Sequence, residues 1–166
     1  LTLWPNGLRA LDAMDLGAAV RERAITETTA GIRDPRGRWL IRTDTDEMAR
    51  RYGSTVMISR SDLFTILHRA VPEAGLRLRV TVSGIETGAD RVRVVHSAGS
   101  SEADLVVGAD GIRSAVRRWV CPEAREPRYA GYTAWRMITS RPVPALREGG
   151  ETWGRGERVG IVALAD

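Results

Sequence analysis

Neither lysine nor glutamine occurs in these 166 residues, and cysteine and phenylalanine occur once each. A lone cysteine, Cys121, excludes a disulfide framework within the chain and fits a reducing, cytoplasmic setting. No apolar run approaches the roughly 18 residues of a membrane span. No basic stretch followed by an apolar one opens the chain as a secretory leader would. The two histidines, His68 and His96, stand far apart in sequence, so no metal site is expected.

All 25 basic residues are arginine, set against 21 acids for a net charge of +4. A basic balance raises nucleic acid as a partner, but the arginines are scattered among the acids and no recognition motif accompanies them. Nucleic acid is therefore not expected as a partner. A steep salt dependence of DNA affinity would be needed to bring it back. Uniform arginine in place of lysine reads as a composition bias.

The chain length suits one domain or parts of two. Leu1–Leu3 reads as the end of a strand. Pro5 suits the first turn of a helix, Asn6 suits a cap, and Leu8, Leu11 and Met14 recur at helical spacing. Gly17 interrupts, and a short helix from Ala18 to Arg23 follows. Asp34-Pro-Arg-Gly37 predicts the turn of a hairpin with strands Thr28–Arg33 and Arg38–Arg42. Ser54–Ser59 is expected to be extended. A helix starts at Arg60 or Ser61, with Leu63, Ile66, Leu67 and Val71 as its apolar face and Pro72 as its limit. Arg77–Glu86 and Arg91–His96 alternate as strands around Thr87-Gly-Ala-Asp90. Leu105–Val107 is continuously apolar, as in a strand buried on both faces of a parallel sheet, and Ile112–Val120 is the helix after it. Tyr129–Ile138 is aromatic and β-rich, Pro142 and Pro144 interrupt, and Glu151–Trp153 and Arg158–Leu164 read as two further strands.

The junction Gly108-Ala-Asp-Gly111 carries the chemistry. A strand that feeds a helix through a glycine turn offers free N–H groups and positive dipole charge to a ligand. An aspartate there repels phosphate. Asp110 should instead accept hydrogen bonds from sugar or ribityl hydroxyls, or from backbone N–H groups. Arg113 and Arg117 are placed to supply positive charge. The plainer reading, that Asp110 only caps the helix, stands beside this one.

GADGIRSAVR (Gly108–Arg117) closely resembles the "DG" motif of the FAD-dependent monooxygenases, the flavoprotein aromatic hydroxylases. LTLWPNGLRALDAMDLG resembles the family segment after the first βαβ unit. SRSDLFTILHRA resembles the helix whose leading arginine, here Arg60, contacts FAD. YAGYTAWR and ETWGRGERVGIVAL resemble the opening strands of the substrate domain, although Met137 stands where family members often have glycine. The strand–GxGxxG–helix for the ADP half of FAD and the later Gly-Asp motif do not occur in these residues. The expectation is an internal fragment that is not active alone.

The resemblance implies an α/β fold: a partial Rossmann-like FAD-binding domain (1–28 and 56–125) and the start of a β-rich substrate domain (29–55 and 126–166). It implies FAD as cofactor, bound through Arg60, Gly108, Asp110, Gly111 and Arg113, with NAD(P)H as co-substrate. One atom of dioxygen would pass to an aromatic or unsaturated small molecule, and no reactive side chain is expected. Tyr132, Trp135 and Arg136 are candidates for substrate contact; in a strand, Tyr132 and Arg136 would share one face and Trp135 the other. Trp153 is expected in the core. Epoxidase, halogenase or reductase chemistry on the same fold remains open, as does a non-catalytic nucleotide-binding module.

Overall fold

The computed structural model describes residues 1–141, 143 and 149–165; the interruption expected at Pro142 and Pro144 lies outside them. The chain divides into two compact units, one from Leu1–Pro72 with Ile138–Asp166 and the other from Glu73–Met137.

The first unit opens with strand β1 (Thr2–Leu3) and helix α1 (Pro5–Asp12). Pro5 takes the first helical position, where a missing N–H costs nothing. The cap is Trp4, with no side-chain bond, and Asn6 falls inside the first turn, so the capping role expected of Asn6 is not realised. Helix α2 (Gly17–Glu22) is tied back to α1 by Arg21, which donates to both oxygens of Asp12 at 2.6 and 2.7 Å. Strands β2 (Ile25–Thr26) and β5 (Val56–Met57) complete a small antiparallel sheet in the order β1-β5-β2. Leu8, Leu11, Val20, Val56, Ile58 and Ile66 form the core between this sheet and the helices, with Leu3, Leu16 and Leu63 packed against it.

The expected hairpin forms from β3 (Ala30–Arg33) and β4 (Trp39–Thr43). Its turn is built by Asp34, whose Oδ1 accepts the N–H groups of Arg36 and Arg38, and by Gly37 at φ +83°. Helix α3 (Thr45–Tyr52) follows, capped by Asp44, which accepts from the N–H of Glu47. This helix stands in a stretch where no element was predicted. Helix α4 (Arg60–Ala70) is capped by Ser59, and its inward face is narrower than expected: Ile66 is buried while Leu67 and Val71 are 38% and 44% exposed. Strands β9 (Gly150–Trp153) and β10 (Arg158–Ile161) extend the hairpin into a four-stranded sheet, β10-β9-β3-β4, through a parallel pairing of β3 with β9. Trp153 is half exposed and its indole N–H donates to Glu151, so it is not a core residue.

The second unit is an antiparallel meander of β6 (Val82–Thr87), β7 (Val92–His96) and β8 (Gly99–Ala103), with helix α5 (Ala115–Val120) against β6. Residues 77–81 do not join β6, which begins at Val82. Two expectations fail here. Leu105–Val107 is not a buried strand: Leu105 and Val107 are each 77% exposed and the segment has no ladder partner among the described residues. A strand buried on both faces needs neighbours on both sides, and the apolar run alone does not supply them. Tyr129–Ile138 likewise forms no strand, and its large side chains lie in solvent.

Candidate functional site

In the Glu73–Met137 unit the chain leaves β8, runs without regular structure to Gly111 and turns into α5. Gly108 is required by close packing: a Cβ there would lie 2.6 Å from Cβ of Val116. Gly111 has φ +79°, a backbone that L side chains rarely adopt. The helix begins at Ala115, three residues later than expected, because Ser114 is its cap and its Oγ accepts the N–H of Arg117 at 2.9 Å.

Asp110 is held from several sides. Oδ1 accepts the hydroxyl of buried Ser114 at 2.5 Å, and Oδ2 accepts the N–H of Ala115 at 2.6 Å and, more weakly, that of Val116 at 3.4 Å. The Ser114 bond is the main reason its carboxyl lies below the usual range; partial desolvation opposes the shift and the Ala115 N–H adds to it. An ionised carboxylate has about four acceptor sites, and three are taken. Asp110 itself is exposed, so its carboxylate is open to solvent and to a ligand.

The lowered carboxyl sets a direction with pH. What Asp110 contributes to this turn is complete above the ordinary carboxyl value of 3.8 and is lost only as the pH falls through the lower folded value. In an acid titration followed by amide NMR, Ala115 and Val116 should keep their native shifts below 3.8. Loss of those shifts above that value would contradict the assigned hydrogen bonds.

The arginines of the junction differ from one another. Arg117 donates to the carbonyl of Ile112 at 2.7 Å, and Arg118 to that of Arg113 at 2.9 Å. The guanidinium of Arg113 is exposed and takes no side-chain partner among the described residues. Gly108, Asp110, Gly111 and Arg113 thus share one turn. Arg117 is turned back onto the backbone.

Arg60 belongs to the other unit. It is the first residue of α4, after Ser59, whose Oγ accepts the N–H of Asp62 at 3.0 Å and donates to the Asp62 carboxylate. Asp62 is also paired with Arg23 at 3.2 Å. The Arg60 side chain is exposed, with no partner among the described residues. A cation at the positive end of a helix is mildly unfavourable, so the helix gains nothing from Arg60.

Tyr132, Trp135 and Arg136 lie on the irregular segment after α5. Tyr132 and Trp135 are among the most exposed aromatics of the chain, and Arg136 reaches only the carbonyl of Trp135 at 3.4 Å. The strand faces anticipated for them do not exist. His96 is buried, with Nε2 at 3.0 Å from the Ser101 hydroxyl and Nδ1 accepting the N–H of Ala98 at 3.3 Å. Sequence reasoning passed over Ser114, although a serine just before an apolar helical run is a recognised cap signal.

No family model matches the chain. It is 31% identical over 169 residues, all of this chain and 44% of the other, to the aurachin C monooxygenase/isomerase of Stigmatella aurantiaca. To the 3-amino-4-hydroxybenzoate 2-monooxygenase of Streptomyces cremeus it is 34% identical over 156 residues, 89% of this chain and 38% of that protein. Among solved structures, a variant of Klebsiella pneumoniae HpxO complexed with FAD superposes with a TM-score of 0.80 at 25% identity, covering 100% of this chain and 45% of that one. The chain spans less than half the length of the curated relatives it matches.

Proposed function

Because the homologues of this chain are FAD-dependent monooxygenases, we propose that it forms part of a flavin site that serves NAD(P)H-dependent insertion of one oxygen atom into an aromatic or related small organic substrate. The observation that carries this reading is the exposed carboxylate of Asp110, fixed by Ser114 and Ala115 with acceptor capacity to spare. A carboxylate with one acceptor site left fits a sugar or ribityl hydroxyl and not a phosphate. Gly108 lets the turn close against Val116, and Gly111 adds no side chain beside the carboxylate. Arg113, without a side-chain partner among the described residues, would offset the charge of a pyrophosphate; Arg60, on the other unit, is assigned to FAD by the resemblance alone. FAD, when bound, supplies the redox chemistry; these residues bind and orient.

We assign 1–28 and 56–125 to the flavin side and 29–55 and 126–166 to the substrate side. In support, β3 and β4 share a sheet with β9 and β10 and, among the described residues, with no other strand. Tyr132, Trp135 and Arg136 fall on the substrate side of this division.

The test is to titrate FAD into the chain by flavin fluorescence, and to follow NAD(P)H oxidation and dioxygen uptake of the full-length gene product with a panel of hydroxybenzoates. Saturable FAD binding that shifts the amides of Ala115 and Val116 is expected. Binding that leaves those amides unmoved would remove Asp110 from the flavin site. FAD binding with no dioxygen uptake on any substrate in the full-length gene product would favour a nucleotide-binding module instead.

A further inference from the structure

A second candidate site lies in the unit built on Leu1–Pro72, and it uses neither Asp110 nor Arg60. Two adjoining hollows open beside Arg9, of about 360 Å³ and about 350 Å³. Arg9, Pro5, Tyr52 and Gly53 line both. The first hollow is mixed, with Asp12, Arg21 and Thr26 beside Leu8 and Val56 on its wall. The second is largely apolar, with Trp4 and Met48. Volumes of this size suit a small molecule.

The charges in the two hollows are unequally satisfied. Asp12 is paired with Arg21 through two parallel bonds. Arg9 donates through Nη1 to the carbonyl of Tyr52 at 3.2 Å and has no carboxylate partner among the described residues. A guanidinium has five donors, so Arg9 is steadied by one bond and keeps most of its donors. Arg51 adds positive charge nearby, its guanidinium carbon 5.4 Å from the Tyr52 ring centroid. Trp4 and Tyr52, each about half exposed, give flat apolar walls next to this charge. The turn that brings them together depends on Gly53, at φ +102°, where a Cβ would come within 3.3 Å of Cβ of Pro5.

We propose that the paired hollows bind a small aromatic carboxylate, its ring against Trp4, Met48 and Tyr52 and its carboxylate on Arg9. A planar monoanion uses both walls. Inorganic phosphate would leave the apolar hollow unfilled, and a neutral ring would gain no charge-assisted bond from Arg9. Carboxylate and guanidinium also match in bidentate geometry.

The probe is benzoate, titrated into the full chain with benzyl alcohol as the uncharged control, and followed by the N–H signals of the Trp4 indole and of the Arg9 and Tyr52 amides. Benzoate should shift these signals saturably and bind more tightly than benzyl alcohol. Arg9→Gln should weaken benzoate about tenfold or more, the scale of a charge-assisted hydrogen bond. Should Arg9→Gln loosen the Tyr52 turn, Met48→Glu keeps the Arg9 bond and places a like charge in the apolar hollow, and it should weaken benzoate comparably. Equal binding of benzyl alcohol, shifts spread over arginines elsewhere in the chain, or no shift at all would overturn the proposal. None of these outcomes depends on whether FAD binds.

Discussion

Asp110→Ala is expected to lower the FAD affinity of the chain about tenfold or more, the scale for losing a hydrogen bond to a charged acceptor. The substitution removes the acceptor site left open for a ligand hydroxyl. It also leaves the Ser114 hydroxyl and the N–H groups of Ala115 and Val116 without their acceptor. Asn should not rescue. If its amide oxygen takes the Ser114 proton, its NH₂ points at the N–H groups of α5. If the amide is flipped, the NH₂ meets Ser114 and the hydroxyl proton has no acceptor. Only an ionised carboxylate matches donors on both sides. Ser114→Ala is the informative comparison, since it weakens the cap of α5 yet leaves Oδ2 of Asp110 with its two N–H donors. A larger loss of FAD affinity in Asp110→Ala than in Ser114→Ala separates ligand binding from capping. Equal affinity of Asp110→Ala and the unsubstituted chain would reduce Asp110 to a helix cap.

What could be read from sequence was local. The β3–β4 turn is legible because Asp34 and Gly37 build it within five residues. The β6–β7 hairpin is legible for the same reason, through Gly88 and its bond to Arg91. Helix α3 was not, because TDEMARRY buries no residue and carries few apolar side chains; a cap at Asp44 and an Arg50–Glu47 pair accompany it instead. Strand β8 was not, because Gly-Ser-Ser-Glu-Ala has no strand signature of its own. It is a strand because β7 pairs with it, with Arg93 reaching Glu102 at 3.2 Å. The reverse error came at Leu105–Val107, where apolar character was taken for burial. In the candidate site the Gly-Asp-Gly turn was legible as a motif. The hydroxyl that fixes its carboxylate was not, because Ser114 acts through a side-chain bond that no spacing rule encodes.

Ile58→Ala should cost about 2–5 kcal/mol, the range for truncating a large buried aliphatic residue. Ile58 is fully buried, and with Val20 it is the largest side chain so enclosed. Among the described residues the core around it is a cluster of six buried residues, so the truncation removes a large part of its apolar contact. Against a total stability of about 5–15 kcal/mol for an ordinary domain, such a loss is a large fraction. The consequence reaches the candidate site through the backbone. Ile58 is bonded to Leu1 through its N–H at 2.9 Å and leads directly into Ser59 and Arg60. Loosening Ile58 therefore releases the start of α4, where Arg60 stands. Leu105→Ala is the contrasting case: equally apolar, but 77% exposed, so its effect should stay within about 0.5 kcal/mol. Urea unfolding read at the Ile66 amide measures the first, and the same experiment read at the Val94 amide measures the second. A neutral Ile58→Ala would mean that the six-residue cluster does not hold α4. A strongly destabilising Leu105→Ala would restore the buried strand that its sequence suggested.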